Sequence, residues 1–167
     1  GGQTFQADGI GLEVPAGWTA TPSTILLHYE SIAGFIGGGG GTGSVACASA
    51  YIPGAGGTCT TTVNLPSGGA VVQVSAWAGP PMPNTPAATV LAADPTATAL
   101  TVAGSAAALE TIAGGEHGAD LTLRWTIDWP GSEFASARLT AWFKGPNVEN
   151  NRAAVESMVA SLTLVTP

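Results

Sequence analysis

Leu121-Thr122-Leu123-Arg124-Trp125-Thr126-Ile127-Asp128-Trp129 places Leu, Leu, Trp, Ile and Trp at every second position, with Thr, Arg, Thr and Asp between them. A period of two sends successive side chains to opposite faces, so the stretch reads as a strand with one buried and one wet face. Pro130-Gly131-Ser132 interrupts it, and a second run from Ala137 to Lys144 puts Ala137, Leu139, Ala141 and Phe143 on one face. Two such runs across a short polar loop predict an antiparallel hairpin. Gly145-Pro146-Asn147 then ends the ladder, and the Asn147 side chain is expected to cap a helix by accepting an unpaired first-turn N–H. From Val148 onward the apolar Val148, Val155, Met158, Val159 and Leu162 recur at helical spacing, while Glu149, Asn150, Glu156 and Ser157 point away. That helix is expected to lie on the sheet, and Leu162-Thr163-Leu164-Val165 follows as its last turn or a short edge strand.

Outward from this unit the signals are shorter. Ala70 to Ala78 carries Val72, Val74 and Ala76 on one face and Val71, Gln73, Ser75 and Trp77 on the other, which suits a central strand. Asp8-Gly9 is a turn, with a strand through Ile10, Leu12 and Val14 after it. Ile25 to Glu30, Val45 to Ile52 and Thr58 to Leu65 read as further strands. Leu100 to Ala103 and Ala107 to Ile112 form two more around Gly104-Ser105, and Ala87 to Ala93 reads as a brief helix. Five consecutive glycines, Gly37 to Gly41, sit in a Gly-rich region at about 32–57 that is expected to be a mobile insertion, because glycine loses the most backbone freedom on ordering. Gly79 to Pro86 reads as a Pro-rich surface connector, since proline lacks the donor that a sheet ladder needs.

Composition bounds the function classes. The 167 residues are 45% hydrophobic and only 9% charged, with 4 basic against 11 acidic side chains and a net charge of −7. Globular proteins average about 25% charged residues, so the surface here is covered by Thr, Ser, Gly, Ala and Asn, a habit of exported proteins. An acidic chain repels nucleic acid and anionic membranes. No apolar run is long enough to span a bilayer. Export implies a signal or lipid-anchored segment upstream of Gly1.

Cys47 and Cys59 lie 12 positions apart, and an exported protein is expected to keep such a pair oxidised, which stabilises by about 3 kcal/mol in the chain-entropy model. Catalytic motifs are missing. Gly38 to Gly43 fits G-x-G-x-x-G only as any polyglycine does, and no phosphate loop, nucleophile elbow or H-E-x-x-H sequence is present. His28, Glu30, Glu116, His117 and Asp120 outline a composite metal site, but two isolated histidines more commonly serve as hydrogen-bonded surface residues. Asp128 and Arg138 are expected to pair across the hairpin. Trp125 and Trp129 share the apolar face, whereas Trp77 and Trp142 have the opposite parity and are the candidate exposed binding surface.

Two stretches together resemble the PsbP-like family, relatives of the extrinsic subunit of photosystem II: Gly9-Ile10-Gly11-Leu12-Glu13-Val14-Pro15-Ala16-Gly17-Trp18, and the strand, strand, helix that ends in Val159-Ala160-Ser161-Leu162. Val102 to Ala107 matches a segment after the middle of that domain. The resemblance implies an antiparallel sheet with helices against it, and non-enzymatic docking or accessory work outside the cytoplasm.

The resulting expectation is a single α+β domain over residues 1–167, an antiparallel sheet flanked by helices in a PsbP-like α/β/α sandwich, with a Gly-rich, disulfide-bearing insertion. Its expected role is that of an extracellular or cell-surface docking domain with a protein partner or self-association, and no cofactor, metal or catalytic residue. The alternatives are a self-assembling structural protein and a hydrolase with an unrecognised site. Denatured, unreduced protein is expected to show no alkylatable thiol at Cys47 or Cys59; labelling of both would refute the bridge.

Overall fold

A computed structural model of the chain describes residues 2–27, 29–47, 59–77 and 85–166. The elements are β1 Thr4–Ala7, β2 Ile10–Glu13, β3 Thr19–Leu26, β4 Glu30–Gly38, β5 Thr42–Cys47, β6 Cys59–Asn64, β7 Ala70–Trp77, α1 Pro86–Ala93, β8 Thr98–Val102, β9 Ser105–Ala113, β10 Leu121–Asp128, β11 Ser136–Phe143, α2 Val148–Ala160 and β12 Thr163–Leu164. Seven strands form one antiparallel sheet in the order β3-β4-β7-β11-β10-β9-β8. β1, β2 and β12 form a small second sheet, and β5 and β6 a separate hairpin.

Strands take 53% of the described chain and helix 16%, which overturns the expected α/β/α sandwich. The large sheet is faced mainly by other β-structure. On the first face, side chains from adjacent strands meet in rows: Val74 pairs with Leu139, Leu139 with Trp125 and Trp125 with Leu109. Trp125 is 2% exposed, and Val74 and Leu139 are fully buried. Burying a large apolar side chain contributes about 1.5–3 kcal/mol, so these rows supply much of the driving force. Phe5, Ile10, Leu12 and Val14 from the first hairpin and Val155, Met158, Val159 and Leu162 from α2 and its end close this core. The hairpin turns at Asp8-Gly9, both with positive φ, as a tight two-residue turn requires.

The described part of the Gly-rich region, residues 32–47, is built into the strands and is not a mobile insertion. Its first part is β4, a buried strand between β3 and β7, and the chain then turns at Gly39-Gly40 into β5. Glycine is used here for close approach. A Cβ on Gly38 would run into the Trp18 ring, and one on Gly43 into the Phe35 ring. The missing side chains are filled by aromatic rings arriving from elsewhere in the chain, a fact that local propensity does not carry. Residues 48–57, most of the expected strand to Ile52, and residues 79–84 of the expected connector lie outside the described residues. Pro86 belongs to α1, where proline suits the first helical turn.

Cys47 and Cys59 face each other in register at the end of the β5–β6 ladder and are bridged. Asn147 does not cap α2 with its side chain; it adopts a left-handed conformation, and its carbonyl accepts the Asn151 N–H at 3.0 Å. The Asn151 amide in turn donates to the Gly68 carbonyl at 3.0 Å, which ties the helix start to the turn before β7.

Gly38→Ala and Gly43→Ala are each expected to destabilise the fold by about 1–3 kcal/mol through overpacking against Trp18 and Phe35. A urea midpoint unchanged in both variants, or amide exchange in Ile36–Gly38 as fast as in a free loop, would contradict the placement of β4.

Candidate functional site

The second face of the sheet alternates with the first, so it receives the polar residues that separate the core residues along β7, β10 and β11. It is covered at two places. Near one end Ile32, Phe35, Val71 and Trp142 form a small apolar cluster with Leu65 and Ala119, and Val45 and Val63 of the β5–β6 hairpin pack on it. At the other end α1 lies against β9 and β10, and the Ala87 N–H donates to Asp128 Oδ1 at 2.8 Å.

Between these covers runs a polar strip built by strand register. One row joins Ser75, Arg138 and Thr126; the next joins Gln73, Thr140, Arg124 and Glu110; Glu30 pairs with Trp77 beside them. Arg124 is paired, because Nε and Nη2 reach the two Glu110 oxygens at 2.9 and 3.2 Å in a two-pronged pair. Arg138 is different. Its guanidinium lies 4.1 Å from the centroid of the Trp77 ring, and its Nε is buried with no hydrogen-bond partner among the described residues. Opposite it in register, Thr126 is 2% exposed and its Oγ1 is also unpartnered.

An unmade hydrogen bond at a buried polar group costs about 1–3 kcal/mol, so two adjacent ones concentrate a cost at one spot of the sheet. Burial pushes the Arg138 pKa down, with the neighbouring Arg124 cation acting the same way and Glu30 and Glu110 opposing. An arginine still keeps its charge. Burial likewise raises the Glu30 pKa, against the Ser75 hydroxyl, the Arg138 cation and Gln73, whose amide donates to Glu30 Oε2 at 3.4 Å. Each of the two charges is short of the solvation it would have in water.

The sequence-derived candidates separate here. Trp77 is half-buried within the strip, carrying Arg138. Trp142 is 4% exposed and belongs to the apolar cluster, with the His117 ring edge-on at 4.8 Å. The expected Asp128–Arg138 pair does not form, because the register sets Asp128 opposite Ser136 and Arg138 opposite Thr126. The ion pairs among the described residues are Arg124–Glu110 and Arg152–Glu156. His28 lies outside the described residues, and among those described no cluster of three His, Cys, Asp or Glu is placed to hold a metal. The parity of β7, β10 and β11 already put Ser75, Thr126 and Arg138 on the polar face. Glu30 was missed as their neighbour because it reads as the end of a strand from Ile25, whereas it begins β4 and pairs with Trp77.

No protein-family model matches the chain, and no curated protein is detectably similar to it.

The Glu30 pKa is raised in the folded state, so the folded chain holds that proton more tightly than the unfolded one. This contribution to stability is greatest below the ordinary glutamate range and is lost as pH rises through the raised value. Glu30→Gln is expected to remove that segment of the pH dependence and to be more stable than the parent at neutral pH, as measured by urea unfolding across pH. A variant that is less stable at neutral pH would show that ionised Glu30 is well compensated.

Proposed function

We propose that this chain is an exported, non-enzymatic binding domain that docks an anionic group of its partner on the polar strip of the second sheet face. The observation that carries the reading is the adjacent pair of buried, unpartnered groups, Arg138 Nε and Thr126 Oγ1. A carboxylate or another oxyanion brought to this spot would supply the acceptor that these groups lack, and a planar guanidinium presents its donors in the fork that such groups match.

Charge distribution supports an anion in spite of the acidic chain. Arg124 and Arg138 are two of only four basic residues, and both lie on this strip. Of the two carboxylates beside them, Glu110 is consumed by Arg124, and burial disfavours the ionised form of Glu30. The Trp77 ring lies against the Arg138 guanidinium, a cation–π contact that favours one placement of the side chain before a ligand arrives. The bridged cysteines fit an oxidising location, and no described helix is long and apolar enough to cross a membrane.

Sulfate is a suitable probe because it keeps its charge over the relevant pH range. Titration is expected to shift the Arg138 Nε–H and Trp77 indole resonances saturably, and Arg138→Gln to abolish the saturable component. Affinity should rise as pH falls through the raised Glu30 value, since protonation removes the anion competing for Arg138, and Glu30→Gln should flatten that dependence. A linear drift that is the same in parent and Arg138→Gln would sink the proposal.

A further inference from the structure

The two edges of the seven-stranded sheet are not treated alike. Natural sheets blunt an exposed edge with proline, bulges, charge or twist, because its free N–H and C=O groups otherwise template pairing with another chain. β3, at one edge, has such devices. Pro22 removes a donor, the register with β4 slips between Pro22 and Ile25, and Thr24 adopts a positive φ of 55°.

β8, at the other edge, has none. Thr98-Ala99-Leu100-Thr101-Val102 contains no proline, no glycine and no charge, pairs with β9 without a register shift, and has no described strand on its outer side. Thr98, Ala99 and Thr101 are exposed, while Leu100 packs on the main core but remains half-exposed at the rim. A strand so placed has backbone groups available and an apolar side chain incompletely covered.

We infer that β8 is the pairing edge for a second copy of this chain, joining two sheets by an antiparallel β8–β8 contact centred on Leu100. A two-fold axis there sets Leu100 against the partner copy's Leu100, Ala99 against its Thr101 and Thr98 against its Val102. None of these pairs opposes like charges, so the net charge of −7 is not concentrated at the contact. The pairing extends the half-buried Leu100 into a shared apolar contact and satisfies the outward ladder groups of both strands. The opposite edge cannot repeat it, because β3 is broken at Pro22 to Ile25, so assembly stops at two copies rather than growing into a fibre.

The test is the mass of the unreduced protein by light scattering across a hundredfold concentration range. A concentration-dependent dimer is expected. Ala99→Lys combined with Thr101→Lys places lysine against lysine in two cross-strand pairs and should weaken the dimer by about tenfold or more. Ala99→Lys combined with Thr101→Glu sets each lysine against the partner copy's glutamate and should recover it. The second variant carries the same lysine at 99, so recovery distinguishes a lost contact from a lost fold. A monomer at every concentration would overturn the inference, as would a dimer that neither variant alters or growth beyond two copies.

Discussion

The first face of the large sheet is the constraint that the rest of the structure serves. Val74, Leu139 and Trp125 stand side by side on β7, β11 and β10, and their burial requires something apolar to lie across them. The chain has one amphipathic helix of sufficient length, α2, which covers part of that surface. The remainder is covered by the β1–β2 hairpin, pinned at Gly11 and Ile10 by β12. The two ends of the chain therefore meet over the core, and the Glu13 N–H closes the contact with Ser161 Oγ at 2.9 Å.

The second face cannot be covered in the same way, because the alternation that makes the first face apolar makes this one polar. Its ends are nevertheless closed by a disulfide-bridged hairpin and a short helix, so charged and hydroxyl groups between them are partly withdrawn from water. Arg124 and Glu110 meet that situation by pairing with each other. Arg138 and Thr126 do not, and an arginine stacked on indole with an unmade hydrogen bond is poorly explained by stability alone. Under the proposed function, these are the groups that an anionic ligand would satisfy.

The hairpin that covers one end of this face carries a cross-link. A two-stranded hairpin is marginal by itself in water, and β5–β6 meets the large sheet through Gly43 against the Phe35 ring and through Val45 and Val63. Bridging Cys47 to Cys59 at the far end of the ladder restricts the unfolded alternatives of this region and holds Val45 and Val63 over Phe35 and Trp142.

By itself the sequence determined whatever depends on a local period or a turn residue. The strands around Trp125, Leu139 and Val74, the Asp8-Gly9 turn, the α2 helix and the face to which each tryptophan belongs all follow from spacing. The pairing of the cysteines followed from composition. Only the tertiary structure decided the rest, because it depends on what stands opposite a residue and not on the residue. Glycines 37 and 38 look like a loop until Trp18 and the neighbouring strands fill the space a Cβ would have taken. Arg138 and Asp128 look complementary until the register sets each against a hydroxyl instead. Glu30 enters the site for the same reason: a strand that pairs with β7 brings its first residue beside Trp77, and pairing between distant segments is fixed by the core they bury together.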